Sequence, residues 1–424
     1  MNKLILYLFI LAFLSNCSFT KEDEKQDKNF NYLFNKLKPI KEELNTNLNI
    51  KLRKITKGQP FLDNNYNNNG NINFETNFEK KSTFKFSTIN NFEFSQPELI
   101  FTDDNNIIFF DGKGSIFKIN EDLNEIWKLN NYNKKEKKLE PILYFAKNSQ
   151  NLLVADNLSK IYSINLNSGK LNWSKYSLSP FNSNIKIFKD KFMTLDFENI
   201  IRCFSMLDGK ELWNFSTENS FIKSQKKLSI VLRGQTVYFV NNLGDITALN
   251  VNDGSLVWQT PTQSSIINQN AFSLENSDIV FANNSIYYSN NKNEIFSIDA
   301  RSGIVRWKQT LNSTLRPTII ENFVFSVSEE GYLFIIDDKT GSILRITNAL
   351  DNIKDKKNKI KPIGFVVAKN KIYLSLNNGR IIKIDVASGL QENIYKLNTS
   401  KISRPYIFNS NMYLIKNNAI IKFK

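Results

Sequence analysis

Histidine is absent from the 424-residue chain, and only two cysteines occur, Cys17 and Cys203. The first absence removes the commonest general base and the commonest nitrogen ligand for metals. The second leaves no vicinal cysteine pair and no CxxC motif. Cys203 lies inside the apolar run IIRCFSM and is expected to be buried, so Cys17 has no evident disulfide partner. No glycine-rich phosphate cradle and no Ser/His/Asp arrangement is present. The apolar run from Leu4 to Leu14, eleven residues, is too short to span a bilayer. The formal charge of +15 would suit nucleic acid or an anionic surface. However, lysine and asparagine are spread along the whole chain, with no basic helix, RNA-binding signature or aromatic-interleaved arginine cluster. No nucleic-acid partner is therefore expected.

What the chain does contain is a repeat. In TVYFVNNLGDITALNVNDGSLVWQ, from Thr236 to Gln259, two apolar runs flank Asn-Asn-Leu-Gly and a third follows the turn Asn252-Asp253-Gly254. Short runs separated by turn residues read as antiparallel strands. Glycine supplies the positive φ that such a hairpin loop needs. The run Ile246 to Leu249 is apolar at successive positions, the pattern of a strand covered on both faces. A sheet stacked between two similar sheets meets that requirement.

The tryptophans set the register of the repeat. Gly169, Gly209, Gly254 and Gly303 each stand four residues before Trp173, Trp213, Trp258 and Trp307, and Trp127 closes an earlier, glycine-poor copy. Two later copies keep the turn and lose the ring: Gly341 leads to Arg345 and Gly389 to Asn393. Successive positions lie 38 to 49 residues apart, a period that belongs to four-stranded propeller blades. Seven units are visible, and an eighth, from Pro405 to Lys424, lacks its outer strand. KSTFKFST, from Lys81 to Thr88, has the half-buried alternation to supply it, which would close the ring and remove two exposed edges. The fold expected is all-β, an eight-bladed propeller over 81–424. The tryptophans are expected to be wedged between blades as structure, since five equivalent rings around a circle cannot all line one ligand pocket.

Ahead of the propeller, residues 1–16 read as a leader: a cationic start, the apolar run, then Leu14-Ser15-Asn16-Cys17. This resembles a bacterial lipoprotein signal, which implies lipidation of Cys17. Ser18, in place of Asp, resembles lipoproteins passed to the outer membrane. An ordinary signal peptide with an incidental cysteine is the alternative. Residues 17–80 read as a polar tether. Within it, Leu33, Phe34, Leu37, Ile40 and Leu44 fall near helical spacing, and the Asn-rich stretch 64–73 reads as a flexible loop.

GDITALNVNDGSLVW, NEIFSIDARSGIVRW and SKIYSINLNSGKLNW resemble the pyrroloquinoline-quinone-type propeller repeat, YxGxxxGxLYALDxxTGxxxW. That repeat is shared by quinone-dependent alcohol and glucose dehydrogenases, by sensor domains and by the outer-membrane assembly lipoproteins of the BamB family. The dehydrogenases resemble one another in a vicinal Cys-Cys pair, a calcium site and an Asp base. The first is absent here, and the length leaves no room for a catalytic insertion. The pattern of a single lipidated propeller therefore resembles the BamB family over about 84–424, which implies no enzyme activity, no cofactor and no small-molecule substrate.

The segment from Leu228 to Gly234, LSIVLRG, is similar to that family's Leu-Ser-Leu-Arg-Gly. There the leucines and arginine dock on the periplasmic POTRA domains of the barrel-assembly protein BamA. Carried over by position, this resemblance nominates Ile230, Leu232 and Arg233, and at the start of the next blade Glu275 or Asp278. An ordinary first strand with a solvated arginine is the plain alternative. The lysine-rich loop DNIKDKKNKIK, 351–361, could meet anionic head groups, although such runs are commonly just solvated. A quinone-dependent dehydrogenase, or an envelope propeller binding peptide or polysaccharide, stays open at this point.

Overall fold

The computed structural model describes residues 48, 50–62, 65–90, 92, 97–219, 223–224, 226–262, 274–353, 360–397 and 401–424. The expected leader, Cys17 and, but for Leu48, the amphipathic stretch lie outside these residues, as do 354–359 of the lysine-rich loop. All described residues belong to the second of two compact units, 42–424.

Alternating turn glycines and apolar runs fold into eight antiparallel sheets, the blades of a propeller. Blades 1 to 7 occupy 100–129, 143–176, 186–216, 230–260, 280–309, 318–348 and 362–396, each with four strands in chain order from the axis outwards. The first strands of neighbouring blades touch around the axis, and the last strands carry the exposed faces. Middle strands such as Ile246–Asn250 are buried at successive positions, because a blade lies against each of their faces.

Blade 8 is composite. Tyr406–Phe408, Asn411–Lys416 and Ala419–Phe423 run outwards, and Lys80–Lys85 pairs antiparallel with the last of them, Thr83 opposite Ile421 and Phe84 opposite Ile420. Phe84 sets its ring 5.6 Å from that of Phe109 and 5.5 Å from that of Phe117, both in blade 1. Start and end of the ring are thus joined by main-chain bonds and by aromatic packing, as the alternation in KSTFKFST leads one to expect.

Neighbouring blades are clasped by one repeated contact. Gly169, Gly209, Gly254, Gly303 and Gly341 have φ between 67° and 75°, and each lies under the tryptophan of the preceding blade. A Cβ on any of them would fall 2.5 to 2.8 Å from that ring. The indole Nε1–H donates to the carbonyl three residues before the glycine: Trp127 to Leu166 (3.1 Å), Trp173 to Met206 (3.0 Å), Trp213 to Val251 (3.1 Å), Trp258 to Ala300 (3.0 Å) and Trp307 to Asp338 (2.7 Å). Arg345 does the same where the ring is lost. It is buried, its Cδ lies over Gly389, and its Nη1 donates to the Val386 carbonyl at 3.1 Å. In the glycine-poor copy Leu123 takes the left-handed turn position, at φ 65°.

The tether expectation is corrected from residue 50 onward. Ile50, Leu52, Phe61, Ile72, Phe74 and Phe78 are buried against the blades, so the described residues of 50–79 form a strap laid on the propeller. From Asn65 on, the Asn-rich stretch runs round the axis from blade 4 to blade 7 and bonds the open edges of the inner strands. The Asn65 carbonyl accepts from Leu232 N, and that of Tyr66 accepts from Phe281 N. The Asn68 side chain exchanges two bonds with the Ile319 backbone, and Asn71–Ile72 pairs in parallel with the inner strand of blade 7. Asn67 is fully buried, and its amide donates to Ser229 Oγ, the Ile230 carbonyl and the Ile279 carbonyl. Asparagine suits this work because one short side chain both donates and accepts.

Candidate partner-binding surfaces

The inner strand of blade 4, Ile230–Arg233, is buried at its first three positions and exposed at the fourth. Ile230 and Leu232 pack with Met193, Leu195, Cys203 and Phe239 between blades 3 and 4. They are core residues, and the expectation that they touch a partner is corrected. Residues two apart share one face of a strand, but in a propeller that face meets the next blade rather than solvent. Arg233 remains available. It stands at the hairpin turn into Thr236–Val240, where Gly234 takes φ 57°. Its Nη1 donates to the Tyr66 hydroxyl at 2.9 Å, and its guanidinium lies 5.6 Å from the Tyr66 ring and 5.8 Å from that of Phe281.

The acidic candidates are elsewhere. Glu275 and Asp278 precede the inner strand of blade 5, Val280–Ala282, whereas Arg233 ends that of blade 4. Inner strands run in the same direction, so the acidic pair and Arg233 mark opposite ends of the axis and form no single patch. Asp278 is also engaged internally, since Arg316 Nε donates to its Oδ2 at 2.8 Å and Arg316 Nη2 approaches the same oxygen. Glu275 is half-buried and makes no ion pair among the described residues.

Around Asp278 the axis holds a charge network that no sequence motif announced. Lys227 bonds Glu98, while Arg316 and Arg404 stand 3.6 and 3.8 Å from it. Burial pushes the Glu98 carboxyl up, but Lys227, Arg404 and Arg316 outweigh it and hold the group at about 2. Glu98, Asp278, Arg316 and Arg404 each stand two residues before the first strand of their blades, at Ile100, Val280, Thr318 and Tyr406. Charged residues at one offset of the repeat meet at one height around the axis, and that offset is the signal by which they could have been found.

Two cavities lie along this axis and share Glu98 and Arg404 as walls. One, about 370 Å³, reaches the strap at Phe61, Leu62 and Asn65. The other, about 350 Å³, opens at the opposite end between Lys226, Glu275, Glu329 and Lys361. Lys186 faces the first cavity and donates to Asn67 Oδ1 at 2.9 Å. Burial, with Arg316 nearby, pushes its ammonium down to about 7. Burial likewise lowers Lys226 to about 8.

The dehydrogenases that share the repeat hold a quinone and calcium, which would need a vicinal cysteine pair and free carboxylates on the axis. Cys203 is buried in blade 3, with its thiol pushed up to about 12 by burial, and no second cysteine is adjacent. Among the described residues no group of three His, Cys, Asp or Glu is placed to hold a metal. Of the carboxylates along the axis, Glu98 and Asp278 are already bound by cations, and Glu329 stands 3.8 Å from Lys361. The residues present do not fit that cofactor pair.

Comparisons with known proteins agree with this geometry. No curated protein sequence matches the chain significantly. Among solved structures, BamB from Moraxella catarrhalis is 15% identical with a TM-score of 0.65, covering 82% of this chain and 99% of that one. The quinohemoprotein alcohol dehydrogenase from Comamonas testosteroni is 9% identical with a TM-score of 0.66, covering 86% and 79%. The computationally designed Ika8 protein is 10% identical with a TM-score of 0.60, covering 82% and 100%. At such identities these likenesses establish the propeller fold alone. The family model for the outer membrane protein assembly factor BamB matches residues 112–347, more than half of the sequence. The chain belongs to the BamB family.

Proposed function

We propose that this protein is a non-enzymatic scaffold of outer-membrane β-barrel assembly, held at the periplasmic face of the outer membrane through a lipidated Cys17. In this reading it binds the POTRA domains of BamA and helps position BamA, or its substrates, during insertion. The observation that carries the reading is the family match, which runs from blade 1 into blade 6. The poor fit of the axis to a quinone and calcium supports it. Arg233 is the contact we assign, because an exposed guanidinium fork grips a carboxylate or backbone carbonyls while neighbouring rings exclude water.

The test is co-purification from solubilised outer membrane. BamA should be recovered with the wild-type chain and lost with Arg233→Glu, while far-UV circular dichroism and the melting temperature stay unchanged. Recovery of BamA with Arg233→Glu would remove the assigned contact, and failure of the wild-type chain to recover it would remove the scaffold reading. Glu275→Lys tests the opposite end of the axis and is expected to leave recovery intact. The likeness to an alcohol dehydrogenase raises a second reading. It predicts quinone absorbance or calcium-dependent dye reduction in the purified protein.

A further inference from the structure

The surface around Arg233 is built from three separate parts of the chain. Arg233 belongs to blade 4 and Phe281 to blade 5, whereas Tyr66 comes from the strap, 167 residues before Arg233. Tyr66 is 38% exposed, its ring centroid lies 5.7 Å from that of Phe281, and its hydroxyl accepts the one hydrogen bond that the Arg233 side chain donates among the described residues, from Nη1 at 2.9 Å. Main-chain bonds fix the tyrosine itself: its carbonyl takes the Phe281 N–H at 3.0 Å, and the preceding carbonyl, of Asn65, takes the Leu232 N–H at 3.0 Å. Asn67, next in the chain, staples the same two blades through Ser229, Ile230 and Ile279.

From this we infer that the N-terminal strap completes the partner-binding surface, with Tyr66 as the positioning residue that holds the Arg233 guanidinium ready for an acidic or carbonyl-rich face of the partner. The inference rests on the reading of Arg233 given above. A free arginine side chain at a hairpin tip would lose rotamer freedom on binding. Two rings and a hydroxyl already restrict this one, and one N–H of its five is spent on the hydroxyl, which leaves the rest of the fork for the ligand. The partner surface it fits is anionic or rich in free carbonyls. The Arg233 surface joins blades 4 and 5, through the Ile230–Arg233 and Val280–Ala282 strands, to a segment that sequence reading assigns to the tether.

The experiment is a double-mutant cycle on the full mature chain, reading affinity for soluble BamA POTRA domains by surface plasmon resonance. Arg233→Ala is expected to weaken binding at least about thirtyfold and Tyr66→Ala about tenfold, mostly through faster dissociation. Tyr66→Phe keeps the ring and should lose only about threefold. The combined variant should bind no more weakly than Arg233→Ala alone, because the tyrosine acts through the arginine. Additive losses, or a Tyr66→Ala chain that binds as tightly as wild type while Arg233→Ala does not, would overturn the inference and leave the functional reading standing. Unchanged binding by Arg233→Ala would remove both. A strap that merely loosens would lower the melting temperature of Tyr66→Ala and give additive losses, which the cycle separates from positioning.

Discussion

Trp258 and Trp307 form a matched pair for testing the blade clasp. Their exposures are alike, 9% and 7%, and each indole donates to the carbonyl three residues before the next turn glycine. Those carbonyls differ. Ala300 O also accepts the Tyr238 hydroxyl at 3.1 Å, whereas the carbonyl of Asp338 has the Trp307 indole as its one partner among the described residues. Phenylalanine at either position removes a similar volume of ring and one N–H. Packing losses should therefore be comparable, a few kcal/mol at most. The difference lies in the carbonyl left behind, since an unsatisfied buried acceptor costs roughly 1–3 kcal/mol. Trp307→Phe should consequently be about 1–3 kcal/mol more destabilising than Trp258→Phe. Denaturant unfolding followed by far-UV circular dichroism, with m-values compared first, gives the numbers. Adding Tyr238→Phe to Trp258→Phe should bring its loss close to that of Trp307→Phe. Equal losses in the two single variants, or a greater loss at Trp258, would show that the indole acts as bulk alone and refute the hydrogen-bond argument.

Other consequences can be measured on the same protein. A chain beginning at Glu98 lacks the Lys80–Lys85 strand and the strap; it should melt at least about 10 °C lower, since each lost kcal/mol moves a large domain by about 2–4 °C, and an unchanged transition would disprove closure by that strand. The lowered Lys186 ammonium gives a pH dependence of definite sign. Between about 7 and the ordinary lysine value near 10.4 the unfolded chain holds a proton that the folded chain does not, so stability rises with pH from about 7 upward. Wild type should gain roughly 1–2 kcal/mol more than Lys186→Met between pH 7 and 9, and parallel curves for the two would count against a buried, destabilised ammonium. Glu98 acts in the opposite range: its carboxyl is held at about 2, so its contribution is present above the ordinary value near 4.3 and fades as pH falls towards 2. Glu98→Gln should flatten that acid limb of the stability curve, and an unaltered limb would show that the axial network contributes nothing there.

The blades were legible because each carries its own punctuation. A left-handed glycine four residues before a tryptophan fixes both the hairpin and its contact with the preceding blade, so counting one motif yields both repeat number and ring. Arg345 shows where such counting misses the physics. The ring is gone, yet a long side chain with an N–H still covers the glycine and reaches the carbonyl, and its Nη2 bonds the Leu48 carbonyl as well. The candidate site was legible only in part. Ile230, Leu232 and Arg233 are nominated together by likeness to a family segment; Arg233 is exposed at its turn, but the burial of Ile230 and Leu232 depends on the adjacent blade, which neither that likeness nor local alternation encodes. Glu98, Lys227, Arg316 and Arg404 come from four blades and meet only once the ring has closed.

The strap also decides which strand edges of the propeller stay open. Every blade leaves the edge of its inner strand open towards the axis, and open edges invite pairing with other chains. The strap covers that edge in blades 4 to 7, through Leu232 N, Phe281 N, Ile319 N and the pairing with 367–368. The asparagine-rich stretch, from Asn65 on, therefore belongs to the folded body. The strap, fixed to the blades by these bonds, keeps Tyr66 beside Arg233. Inserting ten residues before position 48 should leave thermal stability unchanged, whereas inserting the same residues between Phe61 and Tyr66 should lower it and weaken the proposed BamA contact, and equal effects from the two insertions would refute the division drawn at residue 50.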